Sequence, residues 1–196
     1  MPFFFRRARL ASLRFVGGLA VVAAFLAAAI PGRVAARQLD VPFFTTPQAV
    51  VDKMLEMAEI KGDDVLLDLG SGDGRIPITA AKRYGIQAQG VDLDPQRVIE
   101  ANENAKREKV ADKVTFQKQD LFETDLSQAT VITMYLLGSI NLKLRPALMR
   151  LKPGTRIVSH SFNMGSWEPD RSERVDGRTV YLWIVRKDTH REVLAD

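Results

Sequence analysis

The stretch VLLDLGSGDGR, residues 65–75, decides the fold. Val65–Leu69 is a short apolar run, as expected of a strand buried on both faces. It leads straight into glycines, which let the chain turn tightly and bring its backbone close to a ligand. Arg75–Tyr84 then has helical spacing and closes on Gly85, a residue suited to end a helix. The glycine spacing is G-x-G-x-G, unlike the G-x-G-x-x-G of dinucleotide sites, and no Lys-Ser/Thr pair follows as in a P-loop. Asp68, two residues before Gly70, is badly placed beside a pyrophosphate and well placed beside an ammonium group. The ligand implied carries an amino-acid moiety.

Outward from this unit the alternation continues. Strands are expected at Ala88–Val91, Val114–Gln117, Thr130–Leu137 and Arg156–Ser161. Helices are expected at Pro95–Lys109, with Asp94 as its cap, and at Asn141–Leu151, where Pro146 delays the start or introduces a kink. An amphipathic helix over 47–60 precedes the first strand. Arg174–Val175 and Thr179–Val185 flank Asp176-Gly177, a strong hairpin signal. The expected fold is α/β: a doubly wound, seven-stranded, mainly parallel sheet with a terminal antiparallel hairpin, preceded by an N-terminal apolar helix.

Ligands of such sheets bind beyond the carboxyl ends of the strands, and acids stand there in order. Asp92 ends the second strand, where its two oxygens match the vicinal hydroxyls of a ribose. Asp120, after the third strand, is placed to accept from an adenine amino group. Any one of these acids would serve as an ordinary turn or cap residue. Their joint occurrence with the glycine loop is what favours a nucleoside site.

These motifs resemble the class I S-adenosylmethionine-dependent methyltransferases. The carriers are VLLDLGSGDGR (65–75), GVDLDP (90–95), QDLF (119–122) and the terminal hairpin strand. The resemblance implies S-adenosyl-L-methionine as cofactor. Its methionine part would lie among Asp68, Gly70, Ser71, Gly72 and Gly74, its ribose on Asp92 beside Leu93, and its adenine by Asp120 and Leu121. VPFFTTPQAVVDKML (41–55), LGSGDGRI (69–76) and WEPD (167–170) further resemble small protein-lysine methyltransferases whose eukaryotic members have an N-terminal membrane segment. Those members carry a glutamate where this chain has Asp92. A protein lysine is therefore the expected acceptor, with membrane proteins among the candidate substrates. A small-molecule methyltransferase and a non-catalytic nucleoside-binding module are the alternatives.

Methyl transfer from a sulfonium is an in-line displacement, so positioning supplies most of the catalysis. Tyr135 either lines the transfer channel or packs at the sheet end. His160 either accepts a proton or serves as a structural hydrogen-bonding residue. Thr45 and Thr46 either fold over the cofactor or cap the helix that follows. Trp167 either walls the entrance or packs at the surface. No Asn-Pro-Pro-Tyr or Asp-Pro-Pro-Tyr follows the fourth strand, which argues against a base or glutamine acceptor.

Composition narrows the field further. The chain of 196 residues has no cysteine and two histidines, so thiolate zinc sites, iron–sulfur clusters and cysteine nucleophiles are excluded and no metal is expected. The net charge of +4 is unevenly spread: of 28 Lys/Arg, five arginines lie in residues 1–36 without an acid, leaving 23 basic against 24 acidic groups elsewhere. Bulk charge thus gives no argument for nucleic acid. Residues 1–36 read as a signal peptide or membrane anchor, because FVGGLAVVAAFLAAAI (15–30) is uncharged and follows arginines. An organellar transit segment and a buried core helix are the other readings. Residues 37–46 read as a linker and 47–196 as the methyltransferase domain. The expected location is at a membrane, bacterial or mitochondrial inner, or beyond it by export.

Overall fold

The computed structural model describes residues 44–189. The 1–36 segment, most of the 37–46 linker and the expected apolar helix lie outside the described residues. Within them the order is α1 (Gln48–Met57), β1 (Val65–Leu69), α2 (Arg75–Tyr84), β2 (Gln87–Asp92), α3 (Pro95–Arg107), β3 (Val114–Lys118), a 3-10 turn (Leu121–Glu123), β4 (Val131–Met134), α4 (Gly138–Leu148), β5 (Arg156–His160), β6 (Arg171–Val175) and β7 (Arg178–Ile184). The seven strands form one sheet in the order β3-β2-β1-β4-β5-β7-β6. The first five pair in parallel, and β7 pairs antiparallel to both β5 and β6.

Alternation along each strand divides two cores. Leu66, Val131, Val158 and Val180 face one side, beneath α1, α2 and α3. Leu67, Leu69, Ile132, Met134, Ile157 and Trp183 face the other, beneath α4. The same period places polar residues. Asp68 and Thr133 are register partners on the α1 side, as are Ile132 and Ile157 on the α4 side. Tyr135 and His160 continue the α1 face, whereas Ser159 turns toward α4.

Local chemistry explains most boundaries. Asp94 accepts from the Gln96 amide at 2.8 Å with Pro95 behind it, the expected cap of α3. Asp176 (φ 48°) and Gly177 (φ 76°) both take the positive φ that a tight two-residue hairpin requires. Helix α4 begins at Gly138, three residues earlier than its sequence suggests, and Pro146 lies inside its last turn. The expected delay of the start by Pro146 therefore does not occur. Strand β4 is shorter than expected, because the chain leaves the sheet after Met134.

Gly90, in the middle of β2, is needed for close approach. A Cβ there would stand 2.6 Å from Ser71 Cβ and Oγ and 2.6 Å from Phe116 Cδ1. Gly90→Ala should therefore destabilise the domain by about 1–3 kcal/mol in urea unfolding. Gly62→Ala, with nothing within 4 Å of the added carbon, should be near neutral. Equal midpoints for the two variants would contradict this packing.

Candidate active site

The strand ends of β3, β2, β1, β4 and β5 form one row along the carboxyl edge of the sheet. Its centre is the loop Gly70–Gly74. Gly70 (φ 76°), Gly72 (φ 53°) and Gly74 (φ 79°) are all left-handed, which the glycines permit without strain. The Gly70 and Ser71 amides donate to the Val91 carbonyl at 2.9 and 3.0 Å, and the Gly74 amide donates to the Ser71 carbonyl at 2.9 Å. The Gly72 amide donates to Asp92 Oδ2 at 2.9 Å. With these N–H groups spent inside the protein, the loop is no phosphate cradle. Gly74 faces away from the cleft: its added Cβ would meet Phe116 Cζ at 2.5 Å and Ala101 Cβ at 3.0 Å.

Asp68 is buried and accepts from Thr133 Oγ1 at 2.7 Å. Burial pushes its carboxyl up to about 7, the Thr133 hydroxyl opposes the rise, and the charges of Asp92 and Asp73 add to it. With Asp73 paired to the Arg75 guanidinium, Asp68 and Asp92 are the acids that favour a cation over a phosphate here. Asp92 accepts the Gly72 amide on one oxygen and the Asp94 amide, at 2.9 Å, on the other. Each oxygen keeps a lone pair for a further donor. Asp120, buried, accepts the Phe122 amide at 2.9 Å and begins the Leu121–Glu123 turn. Leu93 and Leu121, adjacent to these acids in the chain, are half-buried.

A small cavity of about 30 Å³ opens among Thr46, Asp68, Gly70, Ser71, Gly72 and Tyr135, with Phe44 at its rim. Ser71 Oγ is buried here without a hydrogen-bond partner. A larger groove of about 580 Å³ lies between α1, α2 and α3, lined by alternating charges such as Asp52, Lys82, Arg83 and Glu108. Lys82–Glu108 and Arg83–Asp52 ion pairs cross that groove, which runs over the helices and meets the glycine loop only at Asp73.

Thr46 does not cap the helix that follows. The residue before α1 is Pro47, with no side-chain cap, so the capping expectation for the threonines is corrected. Thr46 Oγ1 instead meets His160 Nδ1 at 3.2 Å, and its carbonyl accepts from Arg75 Nη1 at 2.8 Å. His160 is fully buried, its Nε2 has no partner, and its ring lies 3.9 Å from that of Tyr135. Burial, helped by Arg178, lowers its pKa to about 4, so the imidazole is neutral at ordinary pH. Trp167 is 8% exposed and packs near Trp183, whose Nε1 donates to the Trp167 carbonyl at 2.8 Å. It belongs to the α4-side core, neither at an entrance nor at the surface. Among the described residues no cluster of His, Asp or Glu could hold a metal ion. Thr133 joins the site through its bond to Asp68 without any local sequence signal that marks it; Asn141 bonds the Phe162 carbonyl just beyond the end of β5, outside the lining of the cleft.

The two shifted groups oppose each other in their pH dependence. The raised pKa of Asp68 gives stability that is lost as pH rises from about 4 to about 7. The lowered pKa of His160 gives stability that is lost as pH falls from 6.5 to about 4. Between pH 4 and 6.5 the slopes, about 1.4 kcal/mol per unit each, cancel. Asp68→Asn should unmask the histidine, so its melting temperature falls relative to wild type on acidification through this window. His160→Gln should do the reverse, and parallel pH profiles for all three proteins would refute the assignment.

This fold with this strand-end site defines a class I S-adenosylmethionine-dependent methyltransferase. The chain belongs to the ANTKMT methyltransferase domain family, whose model matches residues 68–171. It is 44% identical over 151 residues to the protein-lysine N-methyltransferase of Saccharolobus islandicus (strain REY15A), covering 74% of this chain and 94% of that one. It is 31% identical over 155 residues to the adenine nucleotide translocase lysine N-methyltransferase of Mus musculus, covering 78% of this chain and 67% of the mouse protein. Among solved structures, a Salinibacter ruber RNA methyltransferase in complex with S-adenosyl-L-homocysteine superposes with a TM-score of 0.72 at 53% identity, covering 74% of this chain and 95% of that one.

The chain's own residues suit the cofactor. The glycines at Gly70 and Gly72 place no side chain over the cleft, Ser71 Oγ is an unused buried hydroxyl, and the acids match a cationic ligand bearing a diol.

Proposed function

We propose that the protein is a protein-lysine N-methyltransferase held at a membrane by residues 15–30. The observation that carries the acceptor is the 44% identity to a protein-lysine methyltransferase, across nearly the whole length of that relative. In this reading Asp68 and the Gly70–Gly72 loop hold the methionine end, Asp92 the ribose hydroxyls and Asp120 the adenine, with Leu93 and Leu121 against the base. When bound, S-adenosyl-L-methionine supplies a methyl group: its C–S bond breaks as a bond to the acceptor nitrogen forms. The protein's part is to line up the nucleophile and keep water away. Tyr135, at the cleft beside Gly70, forms the wall along which an amine enters. The amine attacks in its uncharged form, so its proton leaves to solvent beforehand.

Among the described residues no helix is long and apolar enough to cross a membrane. The anchoring reading rests on the FVGGLAVVAAFLAAAI run alone, and full-length protein retained in membranes through carbonate extraction would support it. Release by carbonate would sink it.

A second acceptor has its own observation, because the Salinibacter ruber protein is described as an RNA methyltransferase. Against RNA stands the near-neutral charge of the chain beyond residue 36, since phosphate binding draws on an excess of Lys and Arg. Labelled S-adenosylmethionine, full-length enzyme and a cell lysate decide between them. Label released by protease and retained under ribonuclease supports the lysine reading; the converse establishes RNA.

A further inference from the structure

We propose that Asn141 is a positioning residue for methyl transfer: it fixes the turn that ends β5, so that Phe162 stands beside Tyr135 and completes the acceptor wall. The inference rests on the methyltransferase reading of the cleft. It begins with the backbone at the end of β5. Ser161 has φ 68°, in the left-handed region and unfavourable for a residue with a side chain. The Phe162 amide donates to the His160 carbonyl at 2.9 Å, closing a three-residue turn of the strained, positive-φ kind. Such a turn persists only where its surroundings over-determine it.

Those surroundings are two buried clamps on opposite faces of the sheet. On the α1 face, Thr46 Oγ1 meets His160 Nδ1 at 3.2 Å. On the α4 face, Asn141 Nδ2 donates to the Phe162 carbonyl at 3.1 Å and to Ser159 Oγ at 3.2 Å. The Ser159 hydroxyl donates to the same carbonyl at 2.7 Å. Held so, the Phe162 ring lies 6.4 Å from that of Tyr135, nearly parallel at 24°. Its other neighbour is the start of α4, where an added Cβ on Gly138 would touch Phe162 Cδ1 at 3.8 Å.

Asn141 is not the residue that packing alone would choose. It is fully buried, and its Oδ1 has no hydrogen-bond partner. Leucine would fill a similar volume in a helix between Ile140 and Leu144 without stranding a buried oxygen. What the amide supplies and leucine does not is the pair of donors on the turn. The polar cost at this site is therefore tied to the placement of Phe162, whose ring packs beside Tyr135, the residue that lines the cleft.

Fluorotyrosine labelling tests this whatever the acceptor is. The chain has three tyrosines, Tyr84, Tyr135 and Tyr181, so the ¹⁹F spectrum is simple and Tyr135→Phe assigns its line. Asn141→Leu should move the Tyr135 line as Phe162→Ala does, and the double variant should move it no further than Phe162→Ala alone. Methyl transfer to lysate protein should fall roughly tenfold or more in Asn141→Leu through misplacement of the wall. Adenosylhomocysteine affinity should stay at the wild-type value. Should Asn141→Leu fail to fold, Ser159→Ala removes a bond to the same carbonyl and is read the same way. An unmoved Tyr135 line, additive shifts or an undiminished transfer rate would each overturn the proposal. Loss of the underlying methyltransferase reading would show separately, as wild-type protein that binds no adenosylhomocysteine.

Discussion

Asp92→Ala should lower adenosylhomocysteine affinity by roughly 100-fold, the equivalent of two charge-assisted hydrogen bonds at about 1.5 kcal/mol each. The carboxylate has two duties in one place. Inside the protein it ties the Gly72 amide (2.9 Å) and the Asp94 amide (2.9 Å), which sets the glycine loop against the end of β2. Toward the cleft, in the proposed reading, its remaining lone pairs take the ribose hydroxyls. Alanine removes both, whereas Asp92→Glu keeps the charge on a longer arm and should recover part of the loss. Titration calorimetry checks the series. An alanine variant that binds within about threefold of wild type, less than 1 kcal/mol, would remove Asp92 from the ribose site.

Arg156→Met should cost about 3–5 kcal/mol of stability, or on the order of 10 °C in melting temperature for a domain of this size. Arg156, at the start of β5, pairs with the Asp64 carboxylate just ahead of β1, with the two side chains 14% and 5% exposed. Arg156 Nη1 also donates to the Ala58 carbonyl at 3.1 Å, and Asp64 accepts from Thr130 Oγ1 at 2.7 Å and from the Lys61 amide at 2.6 Å. Burial works against the ionised Asp64, and the hydrogen bonds from Arg156, Lys61 and Thr130 overcome it, so its pKa lies below the ordinary carboxylate value. Its contribution is present above that ordinary value and lost as pH falls through the lowered one. Removing the guanidinium leaves a buried charge without its counterion. Replacing both partners, Asp64→Leu with Arg156→Met, should restore much of the loss, because an apolar pair carries no desolvation cost. The cluster sits at the opposite end of the strands from the cleft, so cofactor affinity of the folded variant should be unchanged. A drop below about 1 kcal/mol, the range of an exposed pair, would contradict this role for the cluster, as would a double variant worse than the single one.

Most of the fold is legible in local chemistry. The glycine loop after β1, the Asp94-Pro95 start of α3 and the Asp176-Gly177 hairpin each carry their conformation in two or three adjacent residues. What stays hidden depends on register between distant strands. Asp68 meets Thr133 across 65 residues, and Thr46 meets His160 across 114, because pleating puts them on one face. No local spacing reports that parity. The start of α4 is hidden for a different reason. Gly138 and Ser139 look like loop residues, yet they form the first turn, which carries Asn141 inward to Ser159. Trp167 misleads because an aromatic in a polar stretch looks exposed, while the indole of Trp183 ties its carbonyl into the core.

Transfer of a methyl group from S-adenosylmethionine to a lysine side chain at the strand-end cleft has one most direct test. Lysate protein is labelled with full-length enzyme and methyl-labelled cofactor, hydrolysed to amino acids, and the labelled residue identified by mass spectrometry. The expected result is label in N-methylated lysine, abolished in Asp92→Ala at limiting cofactor. Label confined to another amino acid or to nucleosides, or none at all, would contradict it.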